Sequence, residues 1–219
     1  MDEISEPRNA RSRRTRSALL DAARALLEEE GFEALTIPAV AARAGVSRRG
    51  AYLHFRTRAD LVQRLFAHVA ASADLAGSLR PVWEAPDGVT ALAEWARHLA
   101  RYHPRLLAVD RAIQRVRDRD ADAAAHHERV QRLQHGSCLR LARWLEAEGE
   151  LASPWTPESA ADMLWAQVSS EVIGGLVEDC GWSPTALAEH LVAMYLATFT
   201  VSGHGTFTVS GHGTAPPRV

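Results

Sequence analysis

The feature that most constrains the fold lies between residues 36 and 56, where two short amphipathic segments are separated by a glycine. Thr36 is suited to cap the first segment as a helix, because an N-cap threonine accepts a hydrogen bond from a backbone N–H of the first turn. Gly45 ends that helix, and Ser47 caps a second helix of about Arg48 to His54. Small residues let the two helices approach closely, so the second must project its N-terminal residues outward.

Apolar residues at helical spacing continue on both sides of this pair. A first helix is predicted at about Arg13–Glu30, ended by Gly31, and a fourth begins after Thr57, with Asp60 as a capping-box partner. Beyond residue 70 we predict a loop at Pro81 and Pro86 and then longer helices, at about 89–102, 120–148, 157–180 and 184–200. The predicted fold class is all-α, with an N-terminal three-helix helix-turn-helix domain and a larger C-terminal helical domain.

The chain divides into four parts by composition. The boundaries that we expect are a mobile basic arm at 1–11, the helix-turn-helix domain at 12–66, a larger helical domain at 67–200 and a disordered tail at 201–219. The tail carries a tandem duplication, because TFTVSGHG at residues 198–205 is repeated at once. This repeat is too short for a solenoid. A His-Gly metal tract is the alternative, although two histidines so far apart fix no coordination geometry.

The charge is distributed unevenly, with a basic N-terminal part, the head, and an acidic remainder, the body. All 25 basic residues are arginine, and the whole chain has a net charge of −2. Residues 1–66 hold 12 arginines and 9 acidic residues, a net of +3, whereas residues 67–219 hold 13 arginines and 18 acidic residues, a net of −5. The stretch from Arg11 to Arg16 contains no acid. A basic head is typical of a protein that meets a polyanion.

Several classes of protein find no support in the sequence. There is no G-x-S-x-G, phosphate-binding glycine loop, C-x-x-C or H-E-x-x-H, so we expect no enzyme, no cofactor and no metal site. The adjacent His126 and His127 would point about 100° apart on a helix. No apolar run is long enough for a membrane span, and no secretory signal is recognisable. With Cys138 and Cys180 as its two cysteines, the chain is expected in a reducing cytoplasm.

The segment from Thr36 to Leu61 resembles the DNA-binding domain of the tetracycline-repressor (TetR) family. It shows a capping threonine, a run of small residues ending in A-G-V-S, a tyrosine, an H-F pair and a polar tetrad at the expected spacing. The match covers about residues 13–66, and the remainder is similar to the family only in layout. The resemblance implies a transcriptional regulator of a bacterial cytoplasm, associated with the nucleoid when bound, and most often a repressor released from its operator by a small molecule.

Carried over residue by residue, the resemblance implies contacts to double-stranded DNA by a set of polar side chains: Thr36, Ser47, Arg48, Arg49, Tyr52, His54 and Arg58. Thr36 and Tyr52 would bond phosphates, and Arg58 would pin another phosphate where the family usually has lysine. The groove contacts would come from the start of the third helix, with Arg49 best placed for a base edge. Gly50 departs from the family, which often has at this position a side chain that touches bases.

A homodimer is the expected assembly. A single helix-turn-helix reads few base pairs, so such proteins usually bind as dimers, with half-sites about 34–36 Å apart or a multiple of that. The final helices of two subunits would form a four-helix bundle. The apolar stripes predicted at this seam consist of Leu164, Val168, Val172, Gly175, Leu187, Leu191 and Tyr195. The alternative is that these stripes pack only inside the subunit.

The larger domain is expected to host a small-molecule effector that binds one of two states better than the other. The candidate pocket lies among apolar and mainly aromatic residues: Trp95, Leu99, Tyr102, Trp144 and Trp165. Their number suggests a flat or apolar effector, although each could be plain core. Glu171 lies on an otherwise apolar face, where it could read a cationic ligand or close an ion pair across the dimer.

Two functions of different classes remain open on these residues. The first is a ligand-responsive repressor that binds DNA, and the second is a helical interaction module whose arginine-rich head binds another acidic partner. The basic surface of the turn favours the first. An activator in place of a repressor is also compatible with the same residues.

Overall fold

The computed structural model describes residues 10–205, and this part of the chain is almost entirely helical, as the all-α prediction requires. The head contains α1 (Ala10–Glu30), α2 (Ile37–Arg43), α3 (Arg48–Tyr52) and α4 (Arg58–Ser72). The body contains α5 (Leu75–Trp83), α6 (Gly88–Tyr102), α7 (Leu107–Gln114), α8 (Ala121–Ala147), α9 (Pro157–Ala166), α10 (Ser170–Gly174) and α11 (Pro184–Phe199). None of the described helices is both long and apolar enough to cross a membrane.

The helices of the head begin at polar caps, as their sequence predicts. The hydroxyl of Thr36 accepts a hydrogen bond from the backbone N–H of Ala39 at 3.2 Å, and that of Ser47 accepts from Gly50 at 3.1 Å. Thr57 caps α4 in the same way. The carboxylate of Asp60, however, accepts from the N–H of Arg56 rather than completing a box with the cap residue itself. The caps therefore set where α2, α3 and α4 start.

The turn between α2 and α3 depends on one glycine. Gly45 has a φ of +65°, in the left-handed region that residues with a Cβ rarely adopt. The N–H of Val46 donates to the carbonyl of Ala41 at 2.9 Å and that of Gly45 to Ala42 at 3.2 Å, which together form a Schellman motif. This motif ends α2 and reverses the chain, so that α3 leaves at an angle to α2.

One apolar cluster joins the head to the body. Its centre is the buried stripe of α1, which includes Leu19 and Leu27, packed on Leu65 of α4. Val109 and Ile113 of α7 belong to the same cluster. The core of the head is thus continued by a helix of the body, and a shift of α7 must be felt by α1 and α4.

The body has its own core beneath the long helices. The cluster consists mainly of buried residues of α6, α8, α9 and α11, among them Leu92, Leu99, Leu141, Leu164, Leu187, Leu191, Tyr195 and Phe199. An isolated bridge between Leu151 and Thr200 ties the end of α11 to the loop after α8. The buried side of α11 packs against α6, and its other side is exposed.

Some predicted boundaries are wrong. The expected arm at 1–11 includes Ala10 and Arg11, which belong to α1, and its other residues lie outside the described part of the chain. The boundary at 66/67 falls inside α4, which continues to Ser72. Val201 to Gly205 of the expected tail include a short 3₁₀ turn, and the second copy of the duplication lies outside the described residues.

Two predicted elements of the body also differ. The loop expected at Pro81 is replaced by α5, which holds this proline near its C-terminal end and stops two residues later. The helix expected at 157–180 is broken, because Ser169 accepts a hydrogen bond from the N–H of Val172 and caps a new helix, α10. A π-helical turn, Gly175–Asp179, then completes this region. Serine favours such caps over helix interiors, which is the physical reason for the break.

The predicted dimer seam was placed on the wrong face of the last helices. Five of its residues, Leu164, Val168, Leu187, Leu191 and Tyr195, are buried within the subunit itself. Only Val172 is largely exposed, at 40%, while Gly175 is half-buried. Because α11 is apolar on nearly every side, periodicity cannot distinguish its inward face from an outward one. The alternative of packing inside the subunit is the correct one for these five side chains.

Candidate functional site

The third helix presents its arginines to solvent. Ala51 of α3 and Phe55, three residues beyond the end of α3, are both fully buried and hold this segment against the head. Arg48 and Arg49 lie on the exposed side, next to the capping Ser47. Neither guanidinium has an ion pair or hydrogen bond within residues 10–205, so both are free to meet an anion. This placement agrees with the outward projection expected from the sequence.

The surface around α3 extends the basic patch. Thr36, at the start of α2, is exposed, and Tyr52 is 49% exposed at the end of α3. His54 is half-buried, and burial together with the nearby charge of Arg16 lowers its pKa below the usual value. Since Arg16 belongs to α1, the basic N-terminal part of α1 lies beside the recognition surface. A neutral histidine there can either donate or accept a hydrogen bond.

Leu53 is a surface residue that the sequence analysis missed. Its side chain is 72% exposed directly after the exposed Tyr52. The signal was present in the helical spacing, because Leu53 lies about 200° around the axis from the buried Ala51. An exposed leucine beside free arginines can contact a thymine methyl group or a sugar.

Arg58 does not face the recognition surface, which corrects its expected phosphate contact. Its guanidinium donates to the carbonyl oxygens of Leu35 and Phe32, each at 2.8 Å, and its carbon lies 4.4 Å from the centre of the Phe32 ring. It also pairs with Asp120, the N-cap of α8, and lies 3.9 Å from Asp122. The donors that would bind a phosphate are therefore used within the fold, where they connect the head to the body.

A cavity of about 450 Å³ lies between the head and the body. Its walls come from α4, α5, α6, α7 and α8 together with the segment between α6 and α7, and Phe66, Trp95 and Tyr102 supply aromatic faces. A cavity of this size accommodates a drug-sized molecule. Because α4 also carries the core of the head, a molecule in the cavity would contact the helix on which the head is built.

Only part of the predicted pocket lines this cavity. Trp95 and Tyr102 do so, whereas Leu99 is buried in the body core behind them. Trp144 lies elsewhere, with its indole N–H donating to Glu148 at 2.6 Å, and Trp165 packs edge-on against His135. The two distant tryptophans are on α8 and α9, and both pack against the core of the body outside the cavity.

The titratable groups of the cavity are held mainly in their neutral forms. Burial lowers the pKa of His98 to about 3 and the pKa values of His103 and His126 to about 4. Burial also raises the pKa of Tyr102 to about 12. Asp110 differs, because burial and the nearby Glu171 raise its pKa to about 7, so that its carboxyl group changes charge near neutral pH.

Comparison with known proteins supports a helix-turn-helix in the head. The sequence model of bacterial regulatory proteins of the tetR family matches residues 19–65, which include the whole turn and the recognition helix. No curated protein matches the chain. Regulators of this family are DNA-binding proteins and not enzymes, as the sequence analysis expected.

Several solved structures share the fold over most of their length. NalD, described as the secondary repressor of the MexAB-OprM multidrug efflux pump in Pseudomonas aeruginosa, is 20% identical with a TM-score of 0.68, covering 87% of this chain and 98% of its own. The SmeT–triclosan complex is 20% identical with a TM-score of 0.68, covering 94% and 100%. A regulator from Saccharomonospora viridis in complex with choline is 14% identical with a TM-score of 0.66, covering 86% and 98%. With the family match at residues 19–65, the head is a DNA-binding helix-turn-helix of the tetR family of bacterial regulatory proteins, and the chain shares the fold of these solved regulators.

Proposed function

We propose that the chain is a homodimeric repressor that leaves its operator when a small molecule fills the cavity between head and body. The observation that carries this proposal is that α4 forms both a wall of the cavity and part of the core of the head. Gln63, Phe66 and Ala70 of α4 line the cavity, while Leu61 and Leu65 of the same helix are buried in the head. A ligand that displaces α4 therefore moves the recognition helix.

The mechanism requires two states with different ligand affinities. A molecule that fits the cavity better when α4 is displaced shifts the population toward that state, and the shift is limited by the difference in affinity. In a dimer, a small rotation of each head changes the distance between two recognition helices, which must match half-sites on one face of the DNA. The ligand thus lowers affinity for the operator without touching it.

The proposed DNA contacts follow from exposure and charge. Arg49 is the candidate for a bidentate contact to guanine, with Arg48 and Ser47 beside it at the groove. Thr36 and Tyr52 are assigned to phosphates, and His54 to a phosphate or a base. Arg58 is left out of this set because of its contacts to the head and to α8.

A homodimer is still proposed, but the contact surface between its subunits differs from the one expected from the sequence. Large apolar side chains are exposed on the last helices at three positions, Met163 of α9, Val172 of α10 and Met194 of α11. These side chains flank the buried stripes and face away from the body core. We assign the homodimer contact to this outer face of α9, α10 and α11.

Three similar structures support a regulator of this kind. NalD is described as a repressor of an efflux pump, and SmeT and the Saccharomonospora viridis regulator were solved with triclosan and with choline. Ligands of such different chemistry within one fold are consistent with a cavity whose lining sets the choice of effector. They leave open which molecule this chain recognises.

A gel-shift titration on the DNA upstream of its own gene tests the proposal. We expect sequence-selective binding that weakens with salt and loses about tenfold or more in affinity on Arg49→Ala, since a bidentate base contact contributes about 1–3 kcal/mol. The matched control is Arg132→Ala, which removes the same charge from an exposed side chain of α8. Salt-sensitive binding without sequence preference, equal in the two variants, would instead identify an interaction module with a nonspecific basic head.

A further inference from the structure

We propose that the effector is a lipophilic cation, an apolar or aromatic body with one ammonium group that pairs with Asp110. This inference rests on the proposed function, because it names the ligand class of the same cavity.

The cavity is apolar along most of its length. Phe66, Trp95 and Tyr102 offer ring faces, and the aliphatic residues of the remaining walls include Leu75, Leu79, Leu106 and Leu133. His98 lies at hydrogen-bond distance from Ser78, 2.8 Å, and its low pKa keeps the ring uncharged. Such a lining favours a body of rings or methylene groups, whose burial contributes about 25 cal/mol per Å². Aromatic faces also attract cations through their quadrupoles.

Asp110 is the one acidic residue among those that line this cavity. Within residues 10–205 its carboxylate has neither a hydrogen bond nor an ion pair, although the neighbouring Arg111 pairs with Glu178. The side chain of Asp110 is partly accessible where it lines the cavity. A largely enclosed carboxylate without a cation is costly unless something compensates its charge. A ligand ammonium group would do so.

A polar niche of about 40 Å³ adjoins the apolar cavity at the same carboxylate. Asp110, His126 and Gln134 belong to both spaces, and Ser170 and Gln114 close the niche on its other side. The side chain of Gln134 has no hydrogen-bond partner among the described residues, so its amide oxygen is available to a donor. The cavity therefore has an apolar body and a polar, acidic end, which is the shape expected for an amphiphilic ligand.

The electrostatics at this end favour a cation over an anion. Glu171 lies close enough to Asp110 to raise its pKa, so a second carboxylate adds to the negative potential. On the other side, Arg129 is the only arginine of the lining, and its guanidinium already contacts His126 at 3.2 Å. An anionic ligand at this end would face the carboxylate of Asp110, whereas a cationic one would gain a charge-assisted contact to it.

The test uses three probes that share one apolar body and differ only at the head. They are 4-phenylbutyl-trimethylammonium, 4-phenylbutanol and 4-phenylbutyrate. Isothermal titration calorimetry on the purified full-length protein, with intrinsic tryptophan fluorescence as a second readout, is expected to rank the cation at least tenfold tighter than the alcohol, with the carboxylate weakest. Equal affinities for cation and alcohol, or tightest binding of the carboxylate, would overturn the inference.

Substitution of Asp110 locates the charge that is read. Asp110→Asn is expected to reduce affinity for the cation about tenfold, to the level of the alcohol, while affinity for the alcohol stays within about threefold. Asp162→Asn is the matched control, because it removes a carboxylate that is 72% exposed on α9, and it should leave all three affinities unchanged. An undiminished cation affinity in a folded Asp110→Asn variant, checked by circular dichroism, contradicts the assignment.

The outcome can be separated from that of the proposed function. These titrations contain no DNA, so they measure the ligand class alone. If the cation binds as described but a gel shift shows no release of DNA, the repressor mechanism fails and the ligand class stands. If another molecule releases the DNA and the cation does not bind, the ligand class fails and the mechanism stands.

Discussion

Replacing Arg58 by alanine tests whether this side chain serves the fold rather than DNA. The change removes a guanidinium that donates to the carbonyl oxygens of Phe32 and Leu35 at 2.8 Å and pairs with Asp120. A hydrogen bond to a charged group contributes about 1.5–3 kcal/mol and a cation–π contact about 0.5–1 kcal/mol. The pair with Asp120 is 26% and 22% exposed and is discounted for solvent screening. We therefore expect the free energy of unfolding to fall by about 3 kcal/mol.

Urea denaturation followed by far-UV circular dichroism measures this loss. The matched control is Arg56→Ala, which removes an exposed arginine from the turn before α4 and should change the free energy of unfolding by less than about 0.5 kcal/mol. Arg58→Lys keeps the positive charge but lacks the planar guanidinium group. Its loss in free energy of unfolding should therefore lie between the losses of Arg58→Ala and Arg56→Ala. If Arg58→Ala leaves stability within about 1 kcal/mol while lowering the salt dependence of DNA binding by about one phosphate contact, the reasoning is refuted.

Two further changes test the cavity and the turn. Asp110→Asn removes a carboxyl group whose raised pKa, about 7, makes its charged form unfavourable in the fold, so the wild type should lose about 2 kcal/mol relative to the variant from pH 5 to pH 8. Urea unfolding of both proteins at both pH values checks this. The buried histidines stabilise the fold as the pH rises, but they do so equally in the two proteins and cancel in the comparison. A difference in free energy of unfolding between wild type and variant that stays constant with pH contradicts the prediction. Gly45→Ala places a Cβ at a φ of +65° and should cost about 1–2 kcal/mol. Its control, Gly136→Ala, lies in α8 with open space around it and should stabilise by up to about 1 kcal/mol; equal changes in both would argue against backbone strain.

The local structure of the head follows from short-range chemistry. Thr36 and Ser47 each satisfy a backbone N–H three residues later, and Gly45 adopts a conformation that few other residues reach. These interactions span only a few residues, so the order of neighbours along the chain is enough to place them. The exposed position of Arg49 follows as well, because the caps and the turn orient α3.

The seam of the last helices shows where periodicity is not enough. Leu187 and Tyr195 form a regular stripe, but the sequence cannot tell whether α6 of the same subunit or another subunit covers it. The structure assigns the stripe to the interior of the body, and the exposed Met163 and Met194 lie beside it. Among the aromatic residues, Trp95 lines the cavity, whereas Trp144 lies roughly two turns along α8 beyond Ser137, the last residue of that helix in the lining.

By itself, the sequence determined the helical class, the helix-turn-helix and the outward arginines of α3, because capping, glycine backbone freedom and helical spacing act between neighbours. Only the tertiary structure decided that Arg58 reaches Asp120, 62 residues further on, and that Asp110 ends an aromatic cavity without a partner. Such contacts depend on how whole helices pack against one another. The free energy of that packing is shared among many residues distant in the chain, so no single segment carries it.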